Sequence, residues 1–152
     1  MRTAAEELAH EAIALLWDGD DPRVARLVDR EYRDHSATML HRGPESLRAE
    51  RRALREAFAD VEVSTRELIV SADHAVARLR FRGLHVGRWA GIEPSRRSVE
   101  WDEIHIWRFR DGRLVEHWAC RDDLAALCRL GAVIRWEEGA SELQDGRRRP
   151  AG

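Results

Sequence analysis

Near residue 60 the apolar periodicity of this chain changes from helical to alternating, and it stays alternating to about residue 121. Before the change, residues 3–17 place Leu8, Ala12, Leu15 and Leu16 on one helical face, with Glu6, Glu7 and Glu11 polar. Asp18-Gly19-Asp20-Asp21-Pro22 breaks that helix, and Asp21 with Pro22 can start a second over roughly 22–30. Tyr32 to Ser36 reads as a short strand or extended turn, and Gly43-Pro44-Glu45 opens a third helix over about 44–58. After the change, 61–71, 75–86, 97–110 and 113–121 read as strands. Asp122 or Asp123 caps a final helix over about 123–130, closed by Gly131. Helices followed by consecutive strands form the α+β pattern. The expected packing is three N-terminal helices on one face of a curved antiparallel sheet, a cone with an open mouth. Residues 1–136 are expected to form one domain, and 137–152 a disordered tail.

Asp111-Gly112 is a two-residue hairpin turn that needs positive φ at both positions, and it pairs Arg110 with Arg113. Continued without interruption, this register sets His105 opposite Trp118, Glu103 opposite Cys120 and Trp101 opposite Asp122. Trp107, Phe109 and Leu114 continue that face. The other face carries Asp102, Ile104, Ile106, Arg108, Val115, His117, Ala119 and Arg121. Parity alone does not say which face is concave. The indoles and ionisable groups assign the first to the cavity, which leaves His117 on the convex side. The second face has a small apolar centre within a charged rim, which suits solvent or a subunit contact. His85 shares parity with Ala77, Leu79 and Phe81, so it is a candidate pocket residue. Glu103 facing inward would be costly to bury alone: it is functional, or it pairs with an arginine, or the face assignment fails.

Composition narrows the function. A net charge of −2 gives no reason to expect a nucleic-acid partner. No 18-residue apolar run suggests a membrane span, and the N-terminus does not read as a signal peptide, so a cytoplasmic location is expected. All 26 basic residues are arginine, which excludes side-chain Schiff-base chemistry and a P-loop lysine. Two cysteines, Cys120 and Cys128, are too few for a disulfide framework, and the seven histidines show no metal-binding spacing. A metal is possible but has no support in these spacings, and the absence of GxGxxG and Walker sequences leaves a nucleotide reading without its main evidence.

Three segments carry a family resemblance. GLHVGRWAGIEP, VEWDEIHIWRFRDGRLVEHW and a helix opened by Asp122 that ends LCRLG resemble the SnoaL-like polyketide cyclases, of the nuclear transport factor 2-like superfamily. Tyr32-x-x-His35 and Gly43-Pro44-Glu45-Ser46-Leu47 fit the pattern upstream, and the resemblance covers roughly residues 5–133. It implies a cone-shaped α+β barrel, frequently oligomeric, so a homodimer or higher homo-oligomer is expected. It also implies chemistry of lyase or isomerase type without metal or organic cofactor, so none of either is expected. The family's type reaction is an intramolecular aldol ring closure of an aromatic polyketide ester, which makes a polycyclic or polyketide-like small molecule the expected substrate. A carboxylate at the position matched to Asp122 is the implied acid/base, with a histidine on the neighbouring strand, for which His105 is the nearest candidate. Leu84, Ser95-Arg96 and Arg129 depart from the family pattern.

Each candidate also has a plainer reading. Asp122 sits where a helix cap is expected; two consecutive aspartates let Asp123 cap while Asp122 faces inward, and that is the expected arrangement. His105 is either an acid/base or a core histidine bonded to backbone. His35 is either a pocket-wall residue or a turn residue, and in the catalytic reading Asp122 is assisted by His105 or His35. Trp17, Tyr32, His85, Trp101, Glu103 and Trp118 are the expected substrate-binding residues, the tryptophans being core or wall by default. The same cavity would also suit another cofactor-free isomerase, dehydratase, epoxide hydrolase or hydroxylase, or a non-catalytic small-molecule-binding domain.

Overall fold

The computed structural model describes residues 2–18, 21–36 and 41–133. The expected tail at 137–152 lies outside the described residues. The first helix, α1 (Ala4–Trp17), opens with a capping box: Thr3 accepts from the Glu6 amide, and the Glu6 carboxylate accepts from the Thr3 amide. It buries Ala9, Ala12, Leu15 and Leu16. Helix α2 (Asp21–Leu27) stops short of the expected end at 30, because from Val28 the chain enters a strand. Helix α3 (Pro44–Ala57) starts with proline in its first turn, where the missing amide hydrogen has no intrahelical partner to lose.

Among the described residues, five strands follow the order β1 (Val28–Asp34), β5 (Arg113–Arg121), β4 (Ser98–Arg110), β3 (His74–His85), β2 (Phe58–Val70). The sheet is open, with β1 and β2 at its edges. One pairing departs from the expected antiparallel sheet. Strand β1 runs parallel to β5, because it precedes the helical crossover instead of belonging to the meander. On β3 the alternate residues Ala75, Ala77, Leu79, Phe81 and His85 are buried, and on β4 so are Val99, Trp101, Glu103, His105, Trp107 and Phe109. These positions meet the buried faces of α1, α2 and α3 in one core. Helix α4 (Asp123–Leu130) closes on Gly131 in the left-handed conformation. Among the described residues no helix is long and apolar enough to cross a membrane.

The β4–β5 hairpin turns as expected, with φ of 51° at Asp111 and 71° at Gly112. Its register does not run on uninterrupted. Arg110 pairs with Arg113 and Phe109 with Leu114, but Arg108 then pairs with Glu116. Val115 is the extra residue of a β-bulge. Its cause is legible in burial: Leu114 and Val115 are consecutive and both buried, which a strictly alternating strand does not permit. Beyond the bulge every side chain of β5 changes face. His117 pairs with Trp107 and turns inward, and His105 lies opposite Ala119, not Trp118. Trp118 moves to the outer face, Glu103 pairs with Arg121, and the expected pairing of Trp101 with Asp122 does not form.

Candidate active site

Between α1, α3 and the concave sheet lies a cavity of about 330 Å³. Leu16, Leu54, Phe81 and Trp89 supply apolar wall; Glu50, Glu103, His105, Arg121 and Asp123 supply ionisable groups. The size is at the small end for a drug-sized ligand.

A hydrogen-bonded chain crosses the sheet beneath this cavity. Asp34, at the end of β1, has a fully buried side chain, and its Oδ2 lies 3.1 Å from His117 Nδ1. His117 Nε2 lies 2.9 Å from His105 Nδ1. His105 Nε2 lies 2.9 Å from Glu103 Oε2, a short contact bent away from the axis of a straight hydrogen bond. Trp101 Nε1–H donates to Glu103 Oε1 at 2.6 Å. The other Asp34 oxygen accepts from the Ser36 amide at 2.8 Å and from its hydroxyl at 2.5 Å. The rings are stacked: His105 and His117 have centroids 5.2 Å apart, and both lie against Trp107.

Burial and bonding compete at each carboxyl group. Burial pushes Asp34 up, but the bonds from His117 and Ser36 outweigh it and hold the group below its ordinary value. Glu103 follows the same pattern, with His105 and Trp101 as donors. His105 is lowered, because burial disfavours its cation more than Glu103 favours it. Glu50, on α3, has no such donor. Its Oε2 is buried without a hydrogen-bond partner, and burial raises the carboxyl to about 7, with Asp34 and Glu103 adding to the rise. Tyr32, buried beside Asp34 and Glu50, has its phenol raised well above 10 by burial first and by those charges second.

The structure separates the residues expected to act together. Glu103 and His105 line the cavity as expected. Asp122 does not: its side chain is exposed and caps α4 by accepting from the Ala125 amide, while Asp123 lines the cavity and pairs with Arg121. The expected division of labour between the two aspartates is therefore reversed, because Arg121, turned inward by the shifted register, holds Asp123 beside it. His35 is exposed, bonded to Glu116 at 3.0 Å and stacked on Trp118 at 4.6 Å on the outer face. Both stand outside the cavity because the bulge turns that part of β5 over. Trp17 lies under Arg55, and Trp101, Tyr32 and His85 are buried beside the cavity without lining it. His85 accepts from the Ser95 amide through Nδ1.

Asp34, Glu50 and His117 were not foreseen as site residues. Glu50 left a signal, since it shares the buried stripe of α3 with Leu47, Arg51 and Leu54. Asp34 shares strand parity with buried Tyr32. His117 left none, because the bulge reverses its parity. The donor atoms of Asp34, Glu50 and His117 lie within 4.8 Å of one another, the spacing of a metal-ligand set. Both Asp34 oxygens and both His117 nitrogens are already engaged, so Glu50 Oε2 is the free atom of that set.

Known proteins agree with this architecture. The chain is 28% identical over 137 residues to the aklanonic acid methyl ester cyclase DnrD of Streptomyces peucetius, covering 88% of this chain and 94% of that protein. The structure of TsrD from Streptomyces laurentii superposes with a TM-score of 0.77 at 31% identity, covering 88% of this chain and 98% of that one. A SnoaL-like polyketide cyclase from Agrobacterium tumefaciens shares the fold at a TM-score of 0.60 and 20% identity, over 86% of this chain and all of its own. The SnoaL-like polyketide cyclase family matches residues 7–130, and the chain belongs to that family.

Proposed function

We propose that the protein is a cofactor-independent, cyclase-like enzyme that closes a ring in a polyketide-like carbonyl compound by general acid/base catalysis. The observation that carries this reading is Glu50: a carboxylate oxygen buried without a partner, on a cavity wall that also presents the His105–Glu103 pair. A carboxyl near 7 is half ionised at neutral pH, the condition that suits a general base. Glu50 takes a proton from a carbon flanked by two carbonyls. The resulting carbanion attacks a ketone carbon of the same molecule, and His105 delivers a proton to the new alkoxide oxygen. The apolar walls hold the chain folded on itself, which makes the attack effectively unimolecular. Similarity to an aklanonic acid methyl ester cyclase, together with membership of a polyketide cyclase family, supports a polyketide-like ester as the substrate class. The outer face of β4, where Ile104 and Ile106 are exposed, is the surface assigned to self-association, and sedimentation of Ile106→Glu measures it.

Glu50→Gln is expected to lower turnover of such an ester by about 10²–10⁴-fold, with ligand binding retained. Asp122→Asn, which keeps a capping oxygen, is expected to leave turnover within about twofold of the parent and stability within a few tenths of a kcal/mol. The reverse pattern in a side-by-side assay, with Asp122→Asn inactive and Glu50→Gln active, would return the acid/base role to Asp122. The rising limb of kcat/KM against pH is expected near 7, since Glu50 acts as a base only when ionised.

A further inference from the structure

Ring closure creates negative charge on the substrate before it makes a bond, and the cavity has one permanent cation to meet it. Among the described residues that line the cavity, Glu50, Glu103 and Asp123 are acids, His105 is an imidazole, and Arg121 is the guanidinium. Three observations fix that group. The bulge turns Arg121 inward at the end of β5, where it pairs with Glu103 across the ladder. Its Nε donates to Asp123, at the start of α4. Its Cζ lies over the Trp89 ring, 5.0 Å from the centroid. Trp89 is itself held, by backbone bonds with Ile92 and by an edge contact with Phe58 at 5.5 Å. Asp123 therefore occupies the Nε side of the guanidinium and Trp89 one face. No described residue accepts from its two terminal nitrogens. The side chain is 37% exposed, so a ligand in the cavity can reach that open fork.

A free guanidinium fork fits two coplanar oxygens on one side of a ligand, as it fits a carboxylate. A carbon flanked by two carbonyls presents such a pair when both C=O groups point the same way. We propose that Arg121 holds the two oxygens of a 1,3-dicarbonyl substrate in this fork and carries their negative charge once the carbon between them is deprotonated. The inference rests on reading Glu50 as the base of the cavity. When Glu50 acts, a C–H bond breaks, an O–H bond forms on Glu50, and the electron pair spreads onto the two oxygens in the fork. Glu50 ends neutral and the substrate anionic, so the total charge of the cavity is unchanged. The charge has moved from an oxygen without a hydrogen-bond partner to two oxygens that have donors. The pair then forms the C–C bond to the ketone carbon, and the charge passes to the alkoxide that His105 protonates. A free carboxylate would fit the same fork less well in this setting. It would bring a permanent charge against Glu50, Glu103 and Asp123, whereas the dicarbonyl arrives neutral.

The diketone 1-phenylbutane-1,3-dione is a probe with the required oxygens. At pH 7 the wild-type protein is expected to bind it as the enolate, read as a red shift of its near-ultraviolet band. Binding is expected to be at least about 10-fold tighter than that of the monoketone 1-phenylbutan-1-one. Arg121→Gln is expected to lose the shifted band. It is also expected to lower kcat for the proposed ester by about 10²–10³-fold with a smaller change in KM, because the charge develops after binding. Arg121→Lys keeps a cation beside Asp123 but not the fork, and is expected to show a weaker band and a kcat about 10-fold below the parent. A residue that only pairs with Asp123 would leave band and kcat unmoved in Arg121→Lys, and that result overturns the proposal. So does a wild-type protein that binds the diketone in its neutral form, or not at all, or that binds benzoate more tightly. Glu50→Gln is expected to keep the shifted band while losing turnover, since solvent takes the proton at equilibrium. An active Glu50→Gln would sink the base assignment alone, and the bands of the Arg121 variants would still judge the fork. Should Arg121→Gln not fold, Arg121→Lys and the wild-type spectrum decide.

Discussion

Glu50→Gln is expected to make the protein more stable above pH 7 while removing its turnover. The carboxyl ordinarily titrates near 4.5, and in the fold it is raised to about 7, chiefly by burial. Between those values the folded state binds a proton that the unfolded chain has released. Stability contributed by this group is therefore complete below about 4.5 and falls as pH rises through 7. Above 7 the loss is roughly 3 kcal/mol, the free energy that corresponds to raising the carboxyl from 4.5 to about 7. The amide that replaces the carboxyl stays neutral throughout and avoids that loss. For a chain of this length the difference at pH 8 is expected to be about 6–12 °C in melting temperature, shrinking towards zero near pH 4.5. Thermal melts of parent and variant across that range measure it. A variant less stable than the parent at pH 8 would show that Glu50 has a stabilising partner and is not a strained base.

Gly87→Ala is expected to cost about 3 kcal/mol or more, for a reason unrelated to charge. The backbone of Gly87 lies against the end of α3, with its amide bonded to the Ala57 carbonyl at 3.0 Å. A Cβ at this position would stand 1.9 Å from the carbonyl oxygen of Glu56 and 2.9 Å from its carbon. Both are backbone atoms at the end of a helix, so no rotamer change relieves the overlap. Either the β3–β4 connection lifts from α3 or the last turn of α3 unwinds. Trp89, two residues further on, is cavity wall, so the same change is expected to weaken substrate binding. A variant that melts with the parent and keeps its KM would mean that the connection is loosely held.

How much of this was visible in the chain depends on the kind of signal. The change of period near residue 60, the Asp111-Gly112 turn and the Gly131 stop are local, and each appears where its chemistry places it. The inward face of β4, with Trp101, Glu103 and His105, was also legible, because that strand alternates along its whole length. The cost of burying Glu103 was legible too, although its partners are His105 and Trp101 instead of an arginine. What was not legible was the facing of β5 beyond the bulge. A single unpaired Val115 depends on how Leu114 packs beneath the helices, and that is a tertiary fact. The orientation of Asp122 and Asp123 failed for the same reason, since it follows from where Arg121 points. The parallel placement of β1 is non-local as well, and it alone brings Asp34 to His117.

Val115 gives strand β5 two reading frames on one ribbon. On the turn side of the bulge one frame decides which side chains enter the core; on the α4 side the other decides which enter the cavity. Substitutions within a frame change one side chain at a time. A one-residue deletion at Val115 would restore simple alternation. It would leave His117, Ala119 and Arg121 on the inner wall, because Glu116 already pairs with Arg108 and His117 with Trp107; deleting Glu116 with the bulge kept would instead turn Trp118 and Cys120 inward. In this fold the acid/base site is addressed by a length, so an insertion or deletion in the hairpin can rewrite its chemistry more completely than a point substitution.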